Sequence, residues 1–307
     1  MNEFEIIAEI FAPLATSPGA FGLKDDAAAI AGRPGFDLIV TTDQVAEGSD
    51  FFAHDSAGSV AKKALRVNLS DLAVKGAKPA FYLLAIALPA GMTMEWLKAF
   101  AAGLQADQEK FGISLLGGDT GRSEGPLSIT ITAFGFVPEG QMIRRSGARP
   151  GDDVYVTGTI GDSGGGLAIF KREKHNLSEQ DRDYLTTRYR LPEPPVALGE
   201  KLRGLASASV DVSDGLIADL AHLAGASGVR IVVEGEKVPL SAPLRALWGD
   251  RTLLRAVSAG DDYQIAFTAS PGLDGPFTRI GRVEAGAGAI LTLAGREISV
   301  LPGYRHF

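Results

Sequence analysis

Three oxygen-bearing side chains fall within four residues at Asp211, Ser213 and Asp214, in the stretch ASVDVSDGLIADL at 208–220. Val210 and Val212 suit a strand, and Leu216, Ile217 and Leu220 recur at helical spacing after it. Ser213 or Asp214 can cap that helix, and Gly215 can relax the turn into it. A helix N-terminus favours an anion, whereas a pair of aspartates favours a cation. A site that wants both points to a metal-bridged phosphate.

The same residue types recur along the chain, most of them after an apolar segment that would hold them rigidly: Asp26, Thr41, Thr42, Asp43, Asp71 and Asp119. All are oxygen ligands of the kind that hard cations such as Mg²⁺ take. So many carboxylates cannot gather without counter-cations, because like charges repel and would otherwise take up protons. Several Mg²⁺ ions imply a polyphosphate. No G-x-x-x-x-G-K-[ST] loop and no protein-kinase H-R-D or D-F-G set occurs, so a nucleotide site here is carboxylate–metal based. Arg144 or Arg145 would supply positive charge, and the four histidines lie outside the acidic motifs. For Asp71, spaced with Asn68 and Lys75 along one helical face, a solvated surface is the competing explanation.

These residues need elements to position them. Residues 3–12 read as a short amphipathic helix. Residues 37–43, DLIVTTD, form a β-branched strand that ends in Thr41, Thr42 and Asp43. Residues 56–76 carry one apolar stripe of a helix and 81–88 an apolar strand. A second helix spans 94–111, a short strand at 113–116 delivers GGDT at its end, and 128–137 alternates as a half-buried strand. The Gly-rich stretch 140–151 has the punctuation of a linker. Beyond it come a strand at 153–157, the GTIGDSGGG segment, a helix from 167, a charged helical excursion within 171–190, and the strand and helix around DVSDGL. A strand at 230–233, helices near 240–248 and 253–258, the turn GDDY into a strand, and strands at 279–283, 289–294 and 298–301 complete the chain. Strands and helices mix in both halves, giving an α/β (α+β) protein of two domains, 1–142 and 143–307.

Composition narrows the class. A chain of 307 residues exceeds one ordinary core. A formal net charge of −7 disfavours a nucleic-acid partner. No apolar run is long enough to span a membrane, and acidic residues stand where a signal peptide would be basic, so the expectation is cytoplasmic. The absence of cysteine excludes disulfides, thiolate metal sites and cysteine nucleophiles. The 38 glycines gather beside acidic residues, where backbone could approach a ligand closely.

Taken together and in order, the segments resemble the thiamine-monophosphate kinase family, of the superfamily that includes aminoimidazole-ribonucleotide synthetase. They are DDAA at 25–28, TTD at 41–43, KALRVNLSDLAVKGAKP at 63–79, GGDT at 117–120, RSGARPGD at 145–152, VTGTIGDSGGGLAI at 156–169, DVSDGL at 211–216 and GDDY at 260–263. The resemblance implies transfer of the ATP γ-phosphoryl group to thiamine monophosphate, giving thiamine diphosphate. It also implies a homodimer in which N-terminal strands form a shared barrel, an N-terminal domain for metal, nucleotide and dimerisation, and a C-terminal α/β domain. Carried over by position, Asp26, Thr41, Thr42, Asp43, Asp71, Asp119, Asp211 and Asp214 are expected Mg²⁺ ligands. Gly118, Asp119, Arg145 and Ser213 are expected ATP contacts, with Asp71 and Arg145 central to catalysis. Asp50, Asp261 and Tyr304 fall where the family contacts thiamine monophosphate, although the family often has His at the first position and usually Glu at the second. The attacking phosphate oxygen is already ionised, so direct in-line transfer needs alignment and charge neutralisation, not a base. Other ATP-using members of the superfamily are the nearest alternatives, and those that rely on cysteine are excluded by composition. A metal- or nucleotide-binding regulatory protein without catalysis is the alternative from another class.

Overall fold

The computed structural model describes residues 3–300 and 303–304. The chain divides into two compact units, Met1–Leu72 with Ala77–Met142, and Ala73–Gly76 with Ile143–Phe307. The first begins with helix α1 (Glu3–Ile6), which continues as a π-helical turn over Ile7–Phe11. Then follow β1 (Phe36–Ala46), α2 (Ala57–Val74), β2 (Lys78–Pro89), α3 (Met94–Phe111), β3 (Ser114–Ser123) and β4 (Ser128–Pro138).

The four strands form one sheet in the order β1-β4-β2-β3. β4 runs antiparallel to both neighbours, while β2 and β3 are parallel. A parallel pair needs a long crossover, and α3 is that crossover. Its ends are set locally: the Thr93 hydroxyl accepts from the Trp96 N–H at 3.2 Å, and Gly112 closes the helix at a φ of 66°. The two faces of the sheet differ. Leu84, Ile86, Ile129, Ile131 and Ala133 are buried with the apolar stripes of the helices, such as Leu65, Leu69 and Phe100. The alternate residues Leu83, Ala85, Thr130 and Thr132 stand on the other, more open face.

GGDT departs from its expected place at a strand end. β3 runs straight through it, because β2 supplies a parallel partner from Phe81 to Pro89. Glycine is a poor strand former, but here a side chain has no room: a Cβ on Gly118 would stand 1.8 Å from the Leu84 carbonyl oxygen.

The second unit contains β5 (Asp153–Thr157), α4 (Asp162–Phe170), α5 (Glu179–Arg190), α6 (Val196–Lys201), β6 (Ala206–Asp211) and α7 (Leu216–Ser227). It continues with β7 (Arg230–Glu234), α8 (Ala242–Trp248), α9 (Thr252–Ala256), β8 (Ile265–Ala269), β9 (Phe277–Glu284), β10 (Gly288–Leu293) and β11 (Arg296–Ile298). Seven strands form one mixed sheet in the order β11-β10-β7-β9-β5-β8-β6. Its core joins Val154, Val156, Val210, Ile231 and Val233 to the apolar face of α7, Leu216, Leu220 and Leu223. Each such aliphatic side chain contributes about 2 kcal/mol on burial. A satellite core of Ala168, Leu185, Leu244, Trp248 and Ala256 binds α4, α5, α8 and α9.

α4 starts at Asp162, five residues ahead of its expected start, so Gly164–Gly166 lie inside the helix. Packing outweighs their low helix propensity, since a Cβ on Gly166 would sit 2.3 Å from the Leu185 carbonyl oxygen. β11 ends at Ile298, and Leu301 of the expected last strand lies outside the described residues, as does His306. Among the described residues no helix is long and apolar enough to cross a membrane.

Candidate functional site

In the first unit, β1 brings Thr41 and Asp43 to the helix-covered face of the sheet, where Asp43 pairs in register with buried Ile131. The Thr41 hydroxyl donates to the Asp71 carboxylate of α2. Asp71 points at the sheet and is not one of a row of solvated charges. Burial pushes the Asp43 carboxyl up to about 6, and the neighbouring charges of Asp71 and Asp50 push the same way. Asp43 therefore shares a partly buried region with two acidic neighbours whose charges act on it.

Thr42, one residue along, faces the other side. Its hydroxyl lies 3.1 Å from that of Thr132 and donates to the Ile131 carbonyl at 3.2 Å. Thr132 is part of the wall of a cavity of about 610 Å³, together with Asp25, Asp26, Gly118, Asp119 and Thr130. The Asp25 carboxylate accepts the Asp26 N–H at 2.8 Å and so shapes that approach. β1 and β3 are opposite edges of the sheet. Thr41, Asp43 and Asp71 thus make one acidic station, and Asp26 and Asp119 make a second at the cavity.

Asp50 is held as part of a turn. Its carboxylate accepts the Ala46 N–H at 2.8 Å, and its carbonyl accepts from the buried Lys63 ammonium at 2.7 Å.

The second unit builds its site from loops. Asp211 ends β6, and Ser213 and Asp214 follow before α7. Neither of them caps the helix, contrary to expectation: the N-cap is Gly215, without a side-chain bond. Asp219, from within α7, takes that place. One oxygen of its carboxylate accepts the N–H groups of Ser213, Asp214 and Gly215, each at 3.1 Å. The N–H groups at the helix terminus expected to attract an external anion are already taken by an internal carboxyl. Burial pushes the Asp219 carboxyl up to about 8, helped by the charges of Asp211 and Asp214 and opposed by these N–H groups.

The GDDY turn is laced to this loop. The Asp261 N–H donates to the Ser213 carbonyl and the Tyr263 N–H to the Val212 carbonyl, both at 2.8 Å. Val212 returns its own N–H to the Gln264 carbonyl at 2.9 Å. The approach is so close that a Cβ on Gly260 would stand 2.3 Å from the Ser213 carbonyl oxygen. Tyr304 donates its N–H to the Asp214 carbonyl at 2.9 Å, and its ring is exposed. All three expected groups of the second unit, Asp211 to Asp214, Asp261 and Tyr304, therefore meet. Arg145 is exposed, and its carbonyl accepts from Ser227 at 3.1 Å.

Among the described residues no three His, Asp or Glu side chains form a ready-made metal cage. The donor chemistry nevertheless fits a hard cation: every expected ligand is a carboxylate or hydroxyl, and the strained ionisation of Asp43 is what a nearby cation relieves. Asp219 and Asp262 are the structurally prominent acids that the sequence does not single out. Asp219 looks like the polar face of a helix, and Asp262 looks like the twin of Asp261.

Two family models match this chain: the AIR synthase related protein N-terminal domain over residues 24–137 and its C-terminal domain over 149–293. The thiamine-monophosphate kinase of Caulobacter vibrioides is 44% identical, covering 88% of this chain and 77% of that protein. That of Escherichia coli strain K12 is 38% identical over 100% of this chain and 98% of its own length. Among solved structures, the thiamine-monophosphate kinase from Stenotrophomonas maltophilia K279a is 40% identical, with a TM-score of 0.82 over 90% of this chain and 91% of that one. AaThiL complexed with AMPPCP and TMP is 32% identical, with a TM-score of 0.82 over 99% of this chain and 97% of that one.

Proposed function

The chain belongs to the AIR synthase related family and within it to the thiamine-monophosphate kinases, and from that premise we propose a direct, in-line route for its kinase reaction. The protein is an ATP-dependent kinase that phosphorylates thiamine monophosphate. A phosphate oxygen of thiamine monophosphate forms a bond to the γ-phosphorus, the bond from that phosphorus to the β,γ-bridging oxygen breaks, and ADP leaves. Thiamine diphosphate is the product. The nucleophile carries no proton that must be removed, so the protein has only to align and neutralise.

The observation that best supports this chemistry is the crowding of Asp43 with Asp71 and Asp50, where burial and these neighbouring charges raise the Asp43 carboxyl to about 6. Asp26, Thr41, Thr42, Asp43, Asp71, Asp119, Asp211 and Asp214 would hold Mg²⁺. Bound there, the metal would neutralise phosphate charge and orient the transferring group. Gly118, Asp119, Arg145 and Ser213 contact the nucleotide, and Arg145 adds positive charge to the phosphates. Asp261 and Tyr304 receive thiamine monophosphate. The Asp50 carboxylate is engaged with the Ala46 N–H, and it would meet the substrate phosphate only with a metal or water between them. We place the enzyme in the cytoplasm, where ATP is supplied.

A homodimer belongs to the same proposal. β1 is an edge strand, and Phe36, Leu38 and Val40 on one of its faces are 48%, 41% and 53% exposed. An edge with that much apolar surface favours cover by a second copy.

The direct test incubates the purified protein with ATP, Mg²⁺ and either thiamine monophosphate or free thiamine. Thiamine diphosphate forms from the monophosphate and scarcely at all from thiamine. Equal use of both acceptors, or ATP consumption without thiamine diphosphate, contradicts the assignment.

A further inference from the structure

The GTIGDSGGG segment has no part in the chemistry above, yet its backbone is bound to the GDDY turn. Asp262 makes the link. It is buried, at 2% exposure. Its carboxylate accepts the Gly161 N–H at 2.5 Å and the Ser163 N–H at 3.2 Å. These are groups at the N-terminus of α4, a helix without a side-chain cap of its own at Gly161. Asp162, the residue beside them, is turned to other work: it accepts from Thr159, Tyr184 and Ser241.

On either side of Asp262 the backbone is left-handed. Asp261 has a φ of 66° and Tyr263 a φ of 50°. Neither is glycine, and such conformations persist only where the surroundings impose them. Three sets of bonds impose them here. Asp261 and Tyr263 give their N–H groups to the DVSD loop, Asp262 reaches the other way to α4, and Gln264 accepts from the Thr157 hydroxyl at 2.8 Å. The outcome is a fixed position for the Asp261 carboxylate, which accepts from the Tyr263 hydroxyl at 3.2 Å.

We infer that Asp262 is a positioning residue for substrate binding: docked on the N-terminus of α4, it imposes the left-handed turn that presents Asp261 to thiamine monophosphate. The inference rests on the assignment of Asp261 to that substrate. It gives the GTIGD segment a function as the anchor of the substrate turn, and it distinguishes Asp262 from a plain helix cap. A plain cap would stabilise α4 and leave substrate affinity alone.

The test compares wild type with Asp262→Ala and the near-isosteric Asp262→Asn, using steady-state kinetics and amide hydrogen exchange over residues 258–267. Asp262→Ala is expected to raise KM for thiamine monophosphate about tenfold or more while KM for ATP stays within about twofold. Exchange at the Asp261 and Tyr263 amides accelerates in parallel. Asp262→Asn, which keeps one acceptor oxygen, falls between wild type and Asp262→Ala on both measures. If Asp262→Ala does not fold, that graded change in Asp262→Asn carries the test. Unchanged KM for thiamine monophosphate with unchanged exchange in the folded variants overturns the inference, as does an equal rise in both KM values. Failure of the functional assignment shows separately, as a wild-type protein that makes no thiamine diphosphate.

Discussion

The two units handle buried acid in opposite ways. In the first, Asp43 and Asp71 sit on a strand and a helix and confront one another side chain to side chain, with the Thr41 hydroxyl donating to Asp71 between the elements. In the second, Asp219 and Asp262 are surrounded by backbone N–H groups and hold loops in place. The first arrangement turns acid towards acid, which suits a site that receives a cation. The second gives the carboxyl oxygens backbone donors, although burial still raises both groups to about 8, and that suits a scaffold. On the proposed function, residues that serve chemistry and residues that serve geometry differ in what their oxygens face.

That contrast can be broken most forcefully at Asp71. Asp71→Asn removes a charge from the acidic cluster and lowers activity by about 10²–10³-fold. Circular dichroism and melting stay near wild type, because Asn can still accept from Thr41. A variant that melts early but, when folded, keeps normal turnover would place Asp71 with the scaffold.

Asp219→Ala should show the reverse pattern. Three N–H groups lose their acceptor together, and the unfolding free energy falls by about 2–4 kcal/mol, measured by urea titration. A loss well under 1 kcal/mol would mean that solvent serves these groups as well.

Val40→Asp tests the exposed edge. The charge disfavours burial of β1 against another copy, so analytical ultracentrifugation should find a shift from dimer towards monomer without loss of the folded spectrum. A wild type that is already monomeric at high concentration removes the need for cover.

The smallest effect is on pH. Burial raises the Asp262 carboxyl to about 8, well above its unfolded value near 3.9. The folded chain therefore keeps a proton that the unfolded chain has released. The associated stability is fully present below the unfolded value and is lost as pH rises through about 8. Between pH 6 and 8 this amounts to at most about 1.4 kcal/mol per pH unit. Asp262→Asn should flatten the melting temperature over that window, and an equally steep profile in the variant would assign the dependence elsewhere.

Much of this organisation is legible in the sequence, and its gaps have physical causes. α3 is recovered residue for residue because Thr93, an amphipathic run and Gly112 agree on its ends. A mixed α/β architecture follows from the strand and helix patterns in both halves. The site is only partly visible. Side-chain type marks Asp43 and Asp71 as acidic, but nothing local says that they face each other across a strand and a helix. GGDT reads as a loop because glycine disfavours strands, and only the parallel partner β2 overrides that preference. Asp219 and Asp262 are hidden for a related reason. Their partners are backbone N–H groups, which every sequence contains and none advertises.

Direct transfer between two phosphates aligned by the protein is the central step of the proposed reaction. ATP made chiral at the γ-phosphorus with three oxygen isotopes, reacted with thiamine monophosphate, tests it most directly. A single in-line displacement predicts thiamine diphosphate with inverted configuration at that phosphorus. Retention of configuration would mean two successive displacements through a phosphorylated residue, and it would contradict the account.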